Sequence, residues 1–320
     1  MIMNEVLEKI EESNTIAITF HVSPDGDSLG SSLALMQALR KKGKDVYIIS
    51  KESLPEDFKF LPCSHEIDGE TVNVRLNTDC VIVLDCGNTE RINAELDLNN
   101  RKYTLINIDH HMSNDLYADL NYVDTNAAAV SEIVYQMVRI MGIDIDKDIA
   151  ACLYTSIITD TGSFRYSSTT SVTHTIAGDL VNTGIDFSEI HRTIFDNKKF
   201  ERIKLYGKVI DNMKLIREKI CLMTLNKDML SSLGIEEETN TSDIITFAMQ
   251  VGTVEVGILI KETDKGSKIS LRSKSKVDVR KIAEAFGGGG HIRAAGCSMD
   301  GKSVYEAEKI IVEAVEKEIN

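Results

Sequence analysis

Short apolar runs alternate with amphipathic stretches through the first half of the chain: TIAITF (15–20), LGSSLALMQALRKKG (29–43), then VYIIS, VIVLD and YTLINID. The alternation predicts a parallel sheet with crossover helices. Residues 81–84 and 104–108 are apolar without a period of two, as strands covered on both faces require, so they belong in the middle of that sheet. Helical spacing runs over 127–142 and 148–159, a polar segment TDTGSFRYSSTT follows, and helical patterns resume at 171–182 and 187–212. From about residue 213 strands dominate again: MKLIREKICLMTL, VEVGILIKE and KISLRSK, then a helix DVRKIAEAF, four glycines and a closing helix. The expected fold is α/β, with an N-terminal parallel-sheet domain and flanking helices over 1–190. A helical linker spans 191–215, and a smaller C-terminal α/β domain 216–320.

With 320 residues, 42% of them hydrophobic, the chain has enough apolar material for two packed cores. No apolar run approaches the roughly 20 residues of a membrane span, and MIMNEVLEKIEESN lacks the basic start and apolar middle of a signal peptide. A cytoplasmic protein without a membrane partner is expected. Six cysteines, at 63, 80, 86, 152, 221 and 297, include no C-x-x-C pair, so neither a zinc ribbon nor a disulfide framework is indicated. The net charge of -14 argues against a broad surface for long duplex nucleic acid. Positive charge is concentrated locally instead: KGSKISLRSKSKVDVRK (265–281) holds seven Lys or Arg against one Asp.

Acidic and histidine residues recur just beyond the apolar strands: His21, Asp25 and Asp27 after TIAITF, Asp85 after VIVL, and Asp109, His110 and His111 after LINI. Asp160 follows the helix that ends near Thr159. Each motif alone reads as an ordinary turn or cap. Ligands of open α/β sheets bind outside the carboxyl ends of the strands, so three such clusters at equivalent positions converge on one edge. Four carboxylates and two or three imidazoles, with no thiolate, suit a pair of divalent ions such as Mn²⁺ or Mg²⁺. Two ions can activate a water and stabilise both the attacking and the leaving oxygen of a phosphoryl displacement, which makes phosphate ester hydrolysis the natural reaction. An EF-hand beginning at Asp25 fails, because Leu29 fills a ligand position and Met36 stands where a glutamate is required. An aspartyl-phosphate phosphatase would place its nucleophile directly at a strand end, whereas HVSP separates Asp25 from TIAITF.

In order along the chain, HVSPDGDSLGSSLA, VIVLDCGN, NIDHH and SIITDTGSFRY resemble the four motifs of DHH phosphoesterases, and LRSK with GGGGHIRAAG resembles their DHHA1 domain. Within that superfamily the length and domain pairing are most similar to NrnA-type nanoRNases, which hydrolyse very short oligoribonucleotides and often 3'-phosphoadenosine 5'-phosphate. The resemblance implies that His21, Asp25 and Asp85 hold one metal, and that Asp27, Asp85, His110 and Asp160 hold the other, with Asp85 bridging. It implies supporting catalytic roles for Asp109, as a partner that orients an imidazole, and for His111 near the scissile phosphate. Mn²⁺ is the implied ion, with Mg²⁺ or Co²⁺ as alternatives.

In a strand over 268–276, Lys268, Ser270, Arg272, Lys274 and Lys276 share one face and Ser273 takes the other. The lysines are read as a solvated edge. Arg272 lies in the family's Arg-Ser signature, where a guanidinium grips phosphate bidentately. Gly288, Gly289 and Gly290 are expected to form a flexible loop that approaches the ligand, with His291 as a donor beside it, and Arg165 in GSFRY is a further phosphate contact. The second domain would then present one phosphate to the metals across a cleft. The implied partners are short RNA oligonucleotides, dinucleotides and nucleoside bisphosphates, and a homodimer is compatible with them. Two competing functions are an inorganic pyrophosphatase of the same superfamily and a nucleotide-binding regulatory module that does not cleave.

Overall fold

The computed structural model describes residues 2–319 apart from 238, 240 and 242, and all their side chains except those of residues 2 and 291. The chain folds as two units, Met1–Asn197 and Lys198–Asn320. The first comprises α1 (Ile2–Glu12), β1 (Thr15–Thr19), α2 (Gly26–Lys41), β2 (Asp45–Ile48), β3 (Cys80–Leu84), β4 (Thr104–Asp109) and β5 (Leu120–Val123). Helices α3 (Val130–Ile140), α4 (Lys147–Asp160), α5 (Ser171–Asn182) and α6 (Phe187–Phe195) complete it. Its sheet is parallel throughout, in the order β2-β1-β3-β4-β5.

The strand period of two divides the apolar residues between two cores. Ile16, Ile18, Ile82, Leu84, Ile106 and Ile108 face the helices, where they meet Leu29 and Leu33 of α2, Val134 of α3 and Leu153 and Ile157 of α4. Ala17, Tyr47, Val81, Val83 and Leu105 face the other way, against irregular segments that carry Ile92, Ala94 and Tyr117. Burial on both faces explains the unbroken apolar runs in β3 and β4. Helices α2 and α4 pack closely, and Gly30 permits it: a Cβ there would stand 2.4 Å from the Cys152 carbonyl oxygen. That approach sets the start of α2, with Asp27, beside the end of α4, with Asp160.

The second unit holds α7 (Phe200–Asp211), β6 (Lys214–Ile216), β7 (Ile220–Leu225), α8 (Lys227–Ser231), α9 (Thr246–Gln250), β8 (Val256–Thr263) and β9 (Gly266–Ser273). α10 (Val279–Glu284), β10 (Gly289–His291), β11 (Ala294–Asp300) and α11 (Val304–Ile319) follow. Its sheet runs β10-β11-β9-β8-β7-β6 and is antiparallel except between β7 and β8. Ile220, Leu222, Ile258 and Leu271 pack on α10 and α11, whereas Cys221, Met223 and Leu259 pack on α7 and α9. The expected α/β class is what forms.

Two local expectations differ from the structure, and one strand, β5, was not expected. The single helical pattern over 187–212 is two helices, α6 and α7, interrupted at residues 196–199. The interruption carries no Gly or Pro, so the sequence offers no breaker there, and Leu205 and Val209 of α7 are buried in the second unit's core. Strand β5 escapes the pattern because all four of its residues are half-buried, without the apolar contrast that marks a strand. The glycine run is not a loose loop, since Gly289–His291 pairs with β11. Among the described residues no helix is long and apolar enough to cross a membrane.

Candidate metal centre

Neighbouring strands β1, β3 and β4 end at one edge of the first sheet, and the register Thr19↔Val83 and Leu84↔Ile108 brings their ends level. Beyond β1 the chain reaches His21 and then Asp25, the N-cap of α2. Asp25 Oδ1 accepts the amides of Asp27 and Ser28, each at 3.1 Å, and the Ser28 hydroxyl lies 3.0 Å from the Asp25 amide that it accepts. The cap uses one oxygen; the other, Oδ2, lies 3.6 Å from His21 Nε2. Asp27 enters from the first turn of α2, Asp160 from the last residue of α4, and His110 from just past β4. Asp85, just past β3, has φ +54°, a left-handed conformation that costs a non-glycine residue roughly 1 kcal/mol. Its amide donates to the Ile108 carbonyl at 3.0 Å.

The two oxygens of Asp85 face two different groups. Oδ2 lies 3.4 Å from His21 Nε2, beside Asp25. Oδ1 lies 3.6 Å from His110 Nε2, which is itself 3.7 Å from both Asp27 Oδ2 and Asp160 Oδ2. Asp85 is 2% exposed, and among the described residues its Oδ1, which also lies 3.4 Å from His111 Nδ1, has no hydrogen-bond partner. A buried carboxylate oxygen without a donor costs several kcal/mol unless a cation meets it. These separations exceed ordinary hydrogen bonds, yet they approach the ~3 Å edges of a polyhedron with ~2.1 Å metal–ligand bonds. The sets His21/Asp25/Asp85, Asp27/His110/Asp160 and Asp85/His110/His111 each bring their ligand atoms within 4.8 Å of one another.

Tautomers support the same reading. His21 Nδ1 donates to the Val22 carbonyl at 2.8 Å and His110 Nδ1 to the Ala127 carbonyl at 3.1 Å, so in the neutral rings Nε2 carries the lone pair toward the carboxylates. A backbone carbonyl behind the imidazole is the usual support of a metal-ligating histidine. Without a cation, protons must balance the charge. Burial pushes the His21 imidazole down, but Asp25 and Asp85 override it and raise its pKa to about 10. His110, opposed by burial in the same way, is raised to about 9 by Asp27, Asp160 and Asp85. Burial and the neighbouring Asp85 and Asp160 hold Asp27 well above the usual carboxylate range; burial, partly offset by His110, lifts Asp160 to about 6.

Asp109 is arranged differently. Its Oδ1 accepts the His110 amide at 2.8 Å, the His111 amide at 3.3 Å and His111 Nδ1 at 2.8 Å, while Oδ2 accepts Asn114 Nδ2 at 2.5 Å. Burial favours its neutral form, but His111 and Asn114 outweigh burial and keep its pKa low. Both oxygens of Asp109 are thus engaged by protein donors, one of them the His111 ring.

Several supporting groups were not visible in the sequence pattern. The Val130 amide donates to Asp27 Oδ2 at 2.8 Å and the Ser156 hydroxyl to Asp27 Oδ1 at 2.5 Å. Ser156 precedes Asp160 by one helical turn, and that i, i+4 spacing was the available signal. Arg165 is exposed in the loop after Asp160, where Gly162, Ser163 and Phe164 are consecutively left-handed, and its Nε donates to the Gly162 carbonyl at 2.7 Å.

In the second unit, Lys268, Ser270 and Arg272 lie on the more exposed face of β9, as the alternation requires. Arg272 Nη1 donates to the Leu271 carbonyl at 3.0 Å. β9 ends at Ser273, so Lys274 and Lys276 lie beyond it. Ser273 faces inward, 7% exposed, and its hydroxyl donates to the Val277 carbonyl at 2.6 Å. It therefore does not share Arg272's face, and Arg293 Nη1 approaches its hydroxyl at 3.4 Å. Gly289 pairs with Gly296 and Gly290 with Ala295. A Cβ at Gly288 would meet the Gly296 oxygen at 2.2 Å, and one at Gly290, where φ is +136°, the Ala294 oxygen at 2.5 Å. These glycines are required by strand contact. The His291 backbone pairs with Ala294, and its side chain lies outside the described residues.

A model of the DHH family, N-terminal domain, matches residues 15–157, and a DHHA1 domain model matches residues 228–320. The chain is 30% identical over 316 residues to the bifunctional oligoribonuclease and PAP phosphatase NrnA of Thermus thermophilus, covering 98% of this chain and 93% of that one. It is likewise 30% identical over 312 residues to the protein of the same name in Bacillus subtilis, covering 97% and 96%. The crystal structure of an exopolyphosphatase-related protein from Bacteroides fragilis superposes with a TM-score of 0.91 at 28% identity, covering 99% of this chain and 96% of that one.

Proposed function

The chain belongs to the DHH family, and from that premise we propose that it is a Mn²⁺-dependent phosphodiesterase that degrades short oligoribonucleotides and linear dinucleotides to mononucleotides and also dephosphorylates 3'-phosphoadenosine 5'-phosphate. The relatives named for oligoribonuclease and PAP phosphatase activity match almost end to end. The observation that carries the reading is Asp85, a buried carboxylate with one oxygen toward each ligand group and one of those oxygens without a hydrogen-bond donor among the described residues.

In this reading His21, Asp25 and Asp85 hold one divalent ion, and Asp27, Asp85, His110 and Asp160 the other. When bound, a pair of such ions supplies Lewis acidity to the phosphoryl oxygens and activates the attacking water. Oxygen and imidazole donors without thiolate suit hard or borderline divalent ions, and the choice of Mn²⁺, with Mg²⁺ or Co²⁺ as substitutes, is what the family resemblance implies. Asp109 keeps the His111 ring turned by holding its Nδ1 hydrogen, so a proton that His111 moves is carried on Nε2. Arg165 and Arg272 supply cations for phosphate, and the Gly288–Gly290 backbone and His291 line the nucleotide. Ser273 contributes indirectly, by fixing the turn to Val277 and the Arg293 guanidinium.

The test is product analysis after Mn²⁺ is added to metal-depleted protein of verified fold. Mononucleotides are expected from a dinucleotide and from RNAs of a few nucleotides, and phosphate from 3'-phosphoadenosine 5'-phosphate. Long duplex RNA should remain intact, and pyrophosphate should turn over far more slowly. An intact dinucleotide, or a preference for pyrophosphate, refutes the assignment.

A further inference from the structure

Asn114 has all of its side-chain polar atoms committed. Nδ2 donates to Asp109 Oδ2 at 2.5 Å and to Asn107 Oδ1 at 2.7 Å, while Oδ1 accepts the Leu116 amide at 2.8 Å. A flipped amide would set its oxygen against two acceptors and its nitrogen against a donor, so one orientation is enforced. Asn107 lies fully buried in β4. Its Nδ2 reaches the Val83 carbonyl at 3.2 Å, the Cys86 carbonyl at 3.1 Å and the Tyr117 hydroxyl at 3.0 Å, and that hydroxyl in turn donates to the Cys86 carbonyl at 3.0 Å. The Asp115 amide adds a bond to the Gly87 carbonyl at 2.9 Å.

The network joins two loops that leave adjacent strands. One follows β3 and begins with Asp85; the other follows β4 and contains His111 and Asn114, with Asp109 at the strand's last position. A polar network anchored on two fully buried residues, Asn107 and Asp109, with half-buried Asn114 and Tyr117 paired to them, favours one geometry, because any other leaves buried acceptors unpaired. Asp109 is held from two sides, by Asn114 on Oδ2 and by the His111 ring with the His110 and His111 amides on Oδ1, so a shift of the first reaches the His111 ring directly and His110 only through its backbone amide.

We propose that Asn114 is a positioning residue that fixes Asp109 and, through it, the His111 imidazole against the reacting phosphate, without holding the metal ligands themselves. The inference rests on the hydrolytic reading of the site. Among the described residues, none of the hydrogen bonds made by the Asn114 side chain is to His21, Asp25, Asp27, Asp85, His110 or Asp160. Its loss should therefore separate turnover from metal affinity.

The test is Asn114→Asp, which preserves size but points a carboxylate oxygen at two acceptors. The expected kcat on a dinucleotide falls by roughly 100-fold, with KM and calorimetric Mn²⁺ affinity each within about threefold of the unmodified protein. In metal-free, ¹⁵N-histidine-labelled protein, the His111 Nδ1–H resonance should shift or vanish while that of His110 persists. Unchanged kcat overturns the proposal, as does an equal fall of Mn²⁺ affinity and kcat, which marks a general loss of the centre. If Asn114→Asp does not fold, Tyr117→Phe carries the test by removing the hydroxyl between Asn107 and Cys86. It should lower kcat by about three- to tenfold at constant Mn²⁺ affinity, and unaltered kcat again refutes the idea. Failure of the unmodified protein to cleave any dinucleotide would instead sink the hydrolytic reading, while the His111 resonance still reports on Asn114.

Discussion

Asp85→Asn is expected to lower dinucleotide turnover by at least ~10³-fold, about 4 kcal/mol in the barrier, and to reduce the Mn²⁺ bound per chain. Asparagine is the informative replacement. It tolerates the left-handed backbone at this position far better than alanine, so the fold is retained while the charge is removed. The amide also presents N–H hydrogens to one of the two groups that the carboxylate oxygens now face, His21 with Asp25 or His110 with Asp27 and Asp160. Both proposed ions lose a ligand in one step. Activity above a tenth of the original, in protein with unchanged circular dichroism, would refute the bridging role.

Asp27→Asn should have opposite effects on stability and on activity. Its carboxyl is buried, and burial together with Asp85 and Asp160 raises its pKa well above the ordinary range. In the metal-free protein the ionised form is a strain. The asparagine oxygen can still accept the Val130 amide and its nitrogen can donate to Ser156, so the packing survives. Metal-free Asp27→Asn should melt a few degrees higher, on the order of 1–2 kcal/mol, while turnover falls ~10²–10³-fold.

The pH dependence follows from the signs. Carboxyls raised in the folded state stabilise it below their unfolded pKa near 4, and that contribution is lost as pH rises through the folded values, about 6 for Asp160. His21 and His110, raised to about 10 and about 9, lose theirs at higher pH in the same direction. Above about pH 5, where the carboxylates held low in the fold, such as Asp25 and Asp109, are ionised in both states, the melting temperature of the metal-free protein should therefore fall with rising pH, less steeply in Asp27→Asn. Thermal scans from about pH 5 to about pH 8 decide this, and a variant that melts lower than the original throughout contradicts the account.

How much of this was legible in the sequence depends on the kind of signal. Strands β1, β3 and β4 announce themselves because burial on both faces demands uninterrupted apolar residues, and the acids and histidines past their ends follow from topology. Asn107 and Asn114 were not legible, and Ser156 only through its i, i+4 spacing from Asp160, since an asparagine or serine beside a strand or on a helix reads the same whether it faces solvent or a carboxylate. The glycine run misled for a related reason. Its composition suggests freedom, whereas Gly288 and Gly290 are fixed by carbonyl oxygens that leave no room for a Cβ. Ser273 illustrates the reverse, because strand alternation already assigned it to the face opposite Arg272, where the structure buries it.

Anomalous diffraction at the manganese edge, from crystals of metal-depleted protein soaked in Mn²⁺, tests the two-ion site most directly. The expected result is two peaks flanking the Asp85 carboxylate, one beside His21 and Asp25 and the other beside Asp27, His110 and Asp160. A single peak, or manganese bound away from Asp85, would contradict it.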